Sequence, residues 1–186
     1  KPDIVYELSE NQYFSDIHIQ WSYEKINHLY AGCSLGKTYN AKSLGVKEFI
    51  DDIDWLFGKR NKRVCFISPM RSINKDGFEK EKREDWIIVD SDHKTVNTEV
   101  YDNIHSVIWK SDLNVCSTWE SYCAYEMYRI PFDYVIVDEI HTFFMYDYRV
   151  ISITEMKRAL LKATGIRIMM TGTPSAELRE FDCYKI

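Results

Sequence analysis

The sequence lacks three features that would assign it to a specialised class of protein. No apolar stretch is long enough to cross a bilayer, so we expect no membrane partner. The five cysteines form no Cys-x-x-Cys pair, which argues against a zinc site or a disulfide framework and favours reduced thiols, with the cytoplasm as the default location. The formal net charge of −5 argues against a protein that coats nucleic acid by bulk charge, although it permits a local cleft that grips a strand.

The size and composition indicate one globular domain. The chain has 186 residues, of which 45% are hydrophobic and 15% aromatic, so it is long enough and apolar enough to bury a core. It contains no internal repeat and no low-complexity tract. Because the first residue is Lys1 and not Met, we expect a piece of a longer protein.

Short apolar runs alternate with longer polar stretches along the chain. Several runs are apolar on both sides, which is typical of parallel strands covered by helices on both faces. The alternation predicts an α/β fold with a mostly parallel central sheet. The predicted strands are 28–32, 64–68, 86–90, 113–118, 134–138 and 166–171, and the predicted helices lie near 38–57, 97–111, 119–128 and 152–164.

The first predicted strand leads into a shortened phosphate-binding pattern, AGCSLGKT, which runs from Ala31 to Thr38. Backbone N–H groups at the start of the next helix would point at an anion. Lys37 would contact the β- and γ-phosphates, and Thr38 would bind Mg²⁺. The alternative is an ordinary turn at the start of a helix. The predicted nucleotide-binding residues of this loop are Gly32, Cys33, Ser34, Leu35, Gly36, Lys37 and Thr38.

The fifth predicted strand ends in two adjacent carboxylates, in the run YVIVDEIH. Ligands of a parallel sheet bind at the carboxyl ends of its strands, so Asp138 lies where a nucleotide-bound Mg²⁺ needs an oxygen ligand. Glu139 would orient and deprotonate the attacking water. The alternative, a solvated acidic turn, would be preferred for an isolated Asp-Glu but not for one that accompanies a Gly-Lys-Thr loop.

Together with Thr171-Gly172-Thr173-Pro174 after the sixth strand, these stretches resemble motifs I, II and III of superfamily 2 helicases, and they are closest to the DExH group. The first motif of that family, A-x-x-G-x-G-K-T, matches this loop except at Ser34, where glycine is usual. The resemblance implies a RecA-like P-loop NTPase domain that binds ATP and Mg²⁺ and moves on DNA or RNA. It implies Lys37, Asp138 and Glu139 as catalytic residues.

Other positions match the family less specifically. The resemblance implies that His141 links the nucleotide site to Thr171 and Thr173, whereas the alternative is a hydrogen-bonded structural histidine. Gln12 is similar to the glutamine that contacts adenine in many relatives, and Gln20 is a poorer candidate.

Two stretches are similar to the family motifs that contact the nucleic-acid backbone. Ser68 to Arg71 resembles motif Ia, which implies contacts from Pro69 and Arg71. Ser117-Thr118-Trp119 resembles a later motif, which implies a contact from Thr118. For Thr118 the alternative is plain packing at the end of a strand.

The resemblance covers one motor lobe, which we assign to residues 1–180, with 181–186 as the start of a linker to a second RecA-like lobe. Two other functions stay open: a P-loop ATPase that acts on something other than nucleic acid, and an inactive module that clamps nucleic acid.

The ATPase activity of this chain alone is expected to be near background. Arginines that reach the γ-phosphate from a second lobe accelerate phosphoryl transfer by about 10³-fold or more, and no motif here supplies them. Steady-state phosphate release checks this, and robust turnover stimulated by nucleic acid would contradict it.

Overall fold

The computed structural model describes residues 3–10, 12, 19–32, 62–69, 86–89, 95–96, 99–100, 104–145, 153–173 and 183–185. The strands are β1 Ile26–Tyr30, β2 Val64–Ser68, β3 Trp86–Val89, β4 Thr95–Val96, β5 Glu99–Val100, β6 Asn114–Thr118, β7 Tyr134–Val137, β8 Ile166–Thr171 and β9 Cys183–Lys185. The helices are α1 Ile104–Lys110, α2 Trp119–Ala124, α3 His141–Met145 and α4 Ile153–Lys162, with a 3₁₀ turn at Met127–Arg129.

Seven of the nine described strands form one parallel sheet, in the order β3-β6-β2-β7-β8-β1-β9. Strands β4 and β5 form a separate antiparallel pair. Because every neighbour in the large sheet is parallel, the carboxyl ends of its strands lie along one edge. The predicted α/β fold with a mostly parallel central sheet is confirmed, and the arrangement is consistent with a RecA-like fold.

Both faces of the sheet are buried, which explains the apolar runs of the sequence. Every residue of β2 and β8 is buried. On one face, Cys65 and Ile67 belong to a core cluster that includes residues of all four described helices. On the other face, Val64 and Phe66 belong to a cluster that includes Ile19. The predicted helix at 38–57 lies outside the described residues. No described helix is long and apolar enough to span a bilayer.

Three elements differ from their predicted bounds for local reasons. The helix predicted from 97 begins at Ile104, because Glu99–Val100 pairs with β4. The helix predicted for 119–128 ends at Ala124, because Glu126 has a left-handed backbone with φ of 49° that interrupts it. Residues 183–185, assigned from sequence to a linker, instead pair with β1, so the sheet extends past the predicted domain end at 180.

The loop that enters β8 depends on a glycine. Gly165 has φ of +77°, and a Cβ built on it would lie 2.3 Å from the carbonyl oxygen of Phe132 and 2.6 Å from that of Asp133. The next amide, that of Ile166, donates to the Asp133 carbonyl at 2.8 Å. Both the left-handed backbone and the close approach therefore require the absence of a side chain.

We expect Gly165→Ala to lower the free energy of unfolding by about 2 kcal/mol or more, because the added methyl is forced against backbone and the left-handed conformation is itself unfavourable. Chemical denaturation followed by circular dichroism measures the change. The control is Thr164→Ala at the exposed neighbouring position, which should shift stability by less than about 0.5 kcal/mol. Equal effects of the two substitutions would contradict the constraint.

Candidate functional site

Apart from Gln12, the predicted site residues that the structure describes lie along the carboxyl edge of the sheet, in two neighbouring groups. Strand β8 lies between β7 and β1, so the acidic pair after β7 and the Ala31–Gly32 start of the loop after β1 flank Thr171. Two strand spacings of about 4.8 Å separate β7 from β1 by about 10 Å. Pro69 and Thr118 follow from β2 and β6 on the other side of β7.

The acidic pair lies in a tight turn that is fixed by hydrogen bonds. The backbone N–H of Asp138 donates to the Ile67 carbonyl at 2.8 Å, and its Oδ1 accepts the N–H of Glu139 at 3.0 Å. The side chain of Asp138 is buried, with 4% of the residue exposed. The turn therefore keeps the Asp138 carboxylate buried at the edge of the sheet, whereas the next residue, Glu139, is partly exposed.

Glu139 has an unusual backbone conformation. Its φ is 45°, a left-handed value that costs a residue with a side chain about 1–2 kcal/mol. Thr142 holds this conformation, because its N–H and its hydroxyl both donate to the Glu139 carbonyl, at 2.9 and 2.8 Å. Backbone strain of this kind concentrates at functional sites. The Glu139 side chain stays 32% exposed, so water can reach it.

His141 connects this carboxylate to the end of β8. Its Nδ1 lies 2.8 Å from the Thr171 hydroxyl and 3.2 Å from Glu139 Oε2. An ionised carboxylate only accepts hydrogen bonds, so Nδ1 must carry a proton. The same proton position suits Thr171, whose hydroxyl donates to the Thr173 carbonyl at 2.9 Å and accepts the Thr173 N–H at 3.0 Å. We assign the Nδ1–H form of His141 from this network.

The network continues to the predicted phosphate-binding loop. The carbonyl of Thr171 accepts the N–H of Ala31 at 3.2 Å. Gly172 N–H points at Glu139 Oε2 from 3.5 Å, at the limit of a hydrogen bond. Contacts therefore run from Glu139 through His141 and Thr171 to the residue that precedes Gly32.

Much of the predicted nucleotide site falls outside the described residues. These positions are Cys33, Ser34, Leu35, Gly36, Lys37 and Thr38, together with Arg71 from the predicted nucleic-acid contacts. Among the described residues, no group of three or more His, Cys, Asp or Glu is arranged to hold a metal ion. A nucleotide-bound Mg²⁺ does not require one, because it takes one or two carboxylates with phosphates and waters as its other ligands. The buried carboxylate of Asp138 suits that ligand set.

Thr118 and Gln12 have local roles in the structure. The Thr118 hydroxyl accepts the Ser121 N–H at 3.3 Å and so caps the start of α2, and Thr118 is buried with 6% exposed. This agrees with the strand-end alternative, and the nucleic-acid contact stays a prediction. Gln12 Oε1 accepts from both the N–H and the hydroxyl of Ser9 at 3.0 Å, so its adenine contact also stays a prediction.

Thr142, which supports the strained turn, has no role among the sequence-based predictions. Its only signal is a hydroxyl residue three positions after Glu139 at the start of a short helix, a spacing at which side chains commonly bond a nearby backbone group.

Comparisons with known proteins return a structural likeness and no likeness in sequence. No protein-family model and no curated protein matches the chain. Among solved structures, it is similar to "The crystal structure of T4 UvsW", with a TM-score of 0.46 and 12% sequence identity, over 94% of this chain and 33% of that one. The chain thus spans a third of that protein's length. At this level of similarity the match does not bear on function.

Thr171→Val is expected to lower the free energy of unfolding by about 1–3 kcal/mol. Valine keeps the buried volume, but it leaves the Thr173 N–H without its hydrogen-bond acceptor. It also removes one of the two acceptors of the His141 Nδ1–H group. The measurement is a double-mutant cycle with His141→Phe, scored by chemical denaturation. A coupling of about 0.5 kcal/mol or more between the two substitutions is expected, and strictly additive effects would show that the 2.8 Å contact contributes nothing.

Proposed function

We propose that this chain is the N-terminal ATP-binding lobe of an ATP-dependent superfamily 2 helicase or translocase, with a DExH-type acidic motif. The observation that supports the proposal is the line of contacts from Glu139 through His141 to Thr171 and Ala31. It joins three stretches that are distant in sequence at the carboxyl edge of the sheet, which is the edge where ligands of parallel sheets bind.

Glu139 is suited to orient the attacking water. Its Oε2 lies against His141, whereas Oε1 makes no hydrogen bond to the described residues, and the side chain is exposed enough for water to enter. The fixed turn positions this carboxylate before nucleotide binds, and phosphoryl transfer depends mainly on positioning and charge stabilisation.

Lys37 would contact the β- and γ-phosphates, and Asp138 and Thr38 would hold Mg²⁺. When bound, the ion neutralises the charge that develops on the phosphates. Asp138 is already oriented for an incoming cation, because its Oδ1 bond to the Glu139 amide fixes the carboxylate.

His141 gives the site a means to signal hydrolysis. Its single Nδ1 proton is shared between Glu139 and Thr171, so a change at Glu139 on loss of the γ-phosphate alters the bond to Thr171. Thr171 in turn holds both backbone groups of Thr173. Nucleic-acid contacts from Pro69 and Arg71 would lie at β2, next to β7, and a second RecA-like lobe would complete the motor.

The test is Mg²⁺-dependent ATP binding to the chain, measured by calorimetry. Lys37→Ala should weaken binding about tenfold or more, because a charge-assisted contact to phosphate is lost. Asp138→Asn keeps the acceptor for the Glu139 amide but removes the charge, so it should abolish the Mg²⁺ dependence. Glu139→Gln should leave ATP affinity nearly unchanged. Its control is Glu126→Gln, at the other described glutamate with positive φ.

A second measurement, binding of single-stranded DNA and RNA oligonucleotides, separates the alternatives. Arg71→Ala should weaken this binding and reduce its salt dependence. ATP binding without nucleic-acid binding would indicate an ATPase with another substrate. Nucleic-acid binding without ATP binding would indicate an inactive clamp. The proposal would be overturned if Lys37→Ala left ATP binding unchanged and Arg71→Ala left nucleic-acid binding unchanged.

A further inference from the structure

A cavity lies at the amino-terminal edge of the sheet, opposite the carboxyl edge that carries the candidate nucleotide site. Its volume is about 280 Å³, and it opens where β2, β7 and β8 begin. The proposed nucleotide site uses only the carboxyl ends of these strands, so this cavity has no part in it. Residues that carry its chemistry are Tyr23, Lys62, Phe132, Asp133, Tyr134 and Thr164.

The wall of the cavity is fixed by backbone contacts. Asp133 N–H donates to the Arg63 carbonyl at 2.9 Å, and Ile166 N–H donates to the Asp133 carbonyl at 2.8 Å. The Asp133 carboxylate accepts the Arg63 N–H through Oδ2 at 2.7 Å, and Gly165 packs against the carbonyls of Phe132 and Asp133. A ligand would therefore enter a preformed site and would not have to order the loops around it.

Among the described residues, Lys62 is the single cation of the lining, and its side chain makes no ion pair with them. Its Nζ lies 5.7 Å from the centroid of the Tyr134 ring, and it interacts with the Tyr134 phenol. The described lining has one carboxylate, Asp133, and one of its oxygens accepts the Arg63 N–H. Because Lys62 is exposed and an ammonium has three N–H donors, the contact with the phenol leaves donors for an anionic group.

The remaining groups suit an anion with an apolar body. Burial raises the pKa of the Tyr134 phenol, and nearby Lys62 lowers it by a smaller amount, so the phenol keeps its proton at neutral pH and can donate a hydrogen bond. Tyr23 stands 72% exposed at the same cavity and offers an accessible aromatic face, whereas Phe132 and Ile166 also line the cavity but are only 2% and 4% exposed. The volume is close to the lower end of about 300–1,000 Å³ that is usual for ligand sites.

We propose that this cavity binds a small organic anion, with its carboxylate or phosphate at Lys62 and Tyr134 and its apolar part against the exposed ring of Tyr23. Lys62 can bind a carboxylate or a phosphate equally well, because its ammonium acts as a point charge and does not require a planar, two-pronged partner.

The experiment titrates the chain with benzoate, phenyl phosphate, inorganic phosphate and benzamide, followed by amide chemical shifts. It is done in the Lys37→Ala background, so that phosphates at the nucleotide loop do not interfere. Benzoate or phenyl phosphate should shift the amides of Asp133, Tyr134 and Gly165, whereas neutral benzamide should bind at least about tenfold more weakly. Preference between the first two identifies the anion, and binding of inorganic phosphate alone would contradict the role of the Tyr23 ring.

Lys62→Met removes the charge and keeps most of the side chain, and it should weaken binding about tenfold or more. Tyr134→Phe should weaken it less. The control, Lys110→Met, removes an exposed lysine at the end of α1 and should have no effect. Unchanged affinity in Lys62→Met, or no shift with any of the anions, would overturn the proposal. Neither result depends on whether the chain binds ATP.

Discussion

The parallel pairing of β8 with both β7 and β1 is the constraint on which the candidate site depends. Val137 is the register partner of Met169, and Tyr30 is the partner of Thr171. These registers end β1 level with β8, and β7 two residues earlier, so the residues that follow the three strands come together although they are distant in sequence. A slip of one residue would turn the alternating side chains of β8 to the opposite faces and separate Thr171 from His141.

Hydrogen bonds at this edge connect the side chains that the sheet brings together. Glu139 needs a left-handed backbone, which is unfavourable for a glutamate, and Thr142 and Asp138 hold it there. His141 then joins the exposed carboxylate to the fully buried Thr171. The site therefore combines a fixed acidic turn with one proton that serves two acceptors.

The sheet was largely predictable from the sequence, because strands that are buried on both faces need continuous apolar runs. The runs at 64–68 and 166–171 match β2 and β8. Strand β9 could not be predicted, because Cys183–Lys185 is short and has no apolar pattern of its own. It is a strand only through its pairing with β1. For Thr118 the sequence leaves open a nucleic-acid contact and plain packing at the end of a strand, and it does not predict the bond to Ser121 that caps α2. The amino-edge cavity could not be predicted, because residues as distant as Tyr23 and Thr164 meet there only in the folded chain.

The most direct test of a shared nucleotide pocket is a crystal structure of the chain with Mg²⁺ and a non-hydrolysable ATP analogue. The predicted result has the γ-phosphate between Lys37 and the Glu139 carboxylate, with Mg²⁺ held at Thr38 and Asp138. A nucleotide bound without contact to the Asp138–Glu139 turn, or a Lys37 ammonium that lies away from the carboxyl edge of β7, would contradict it.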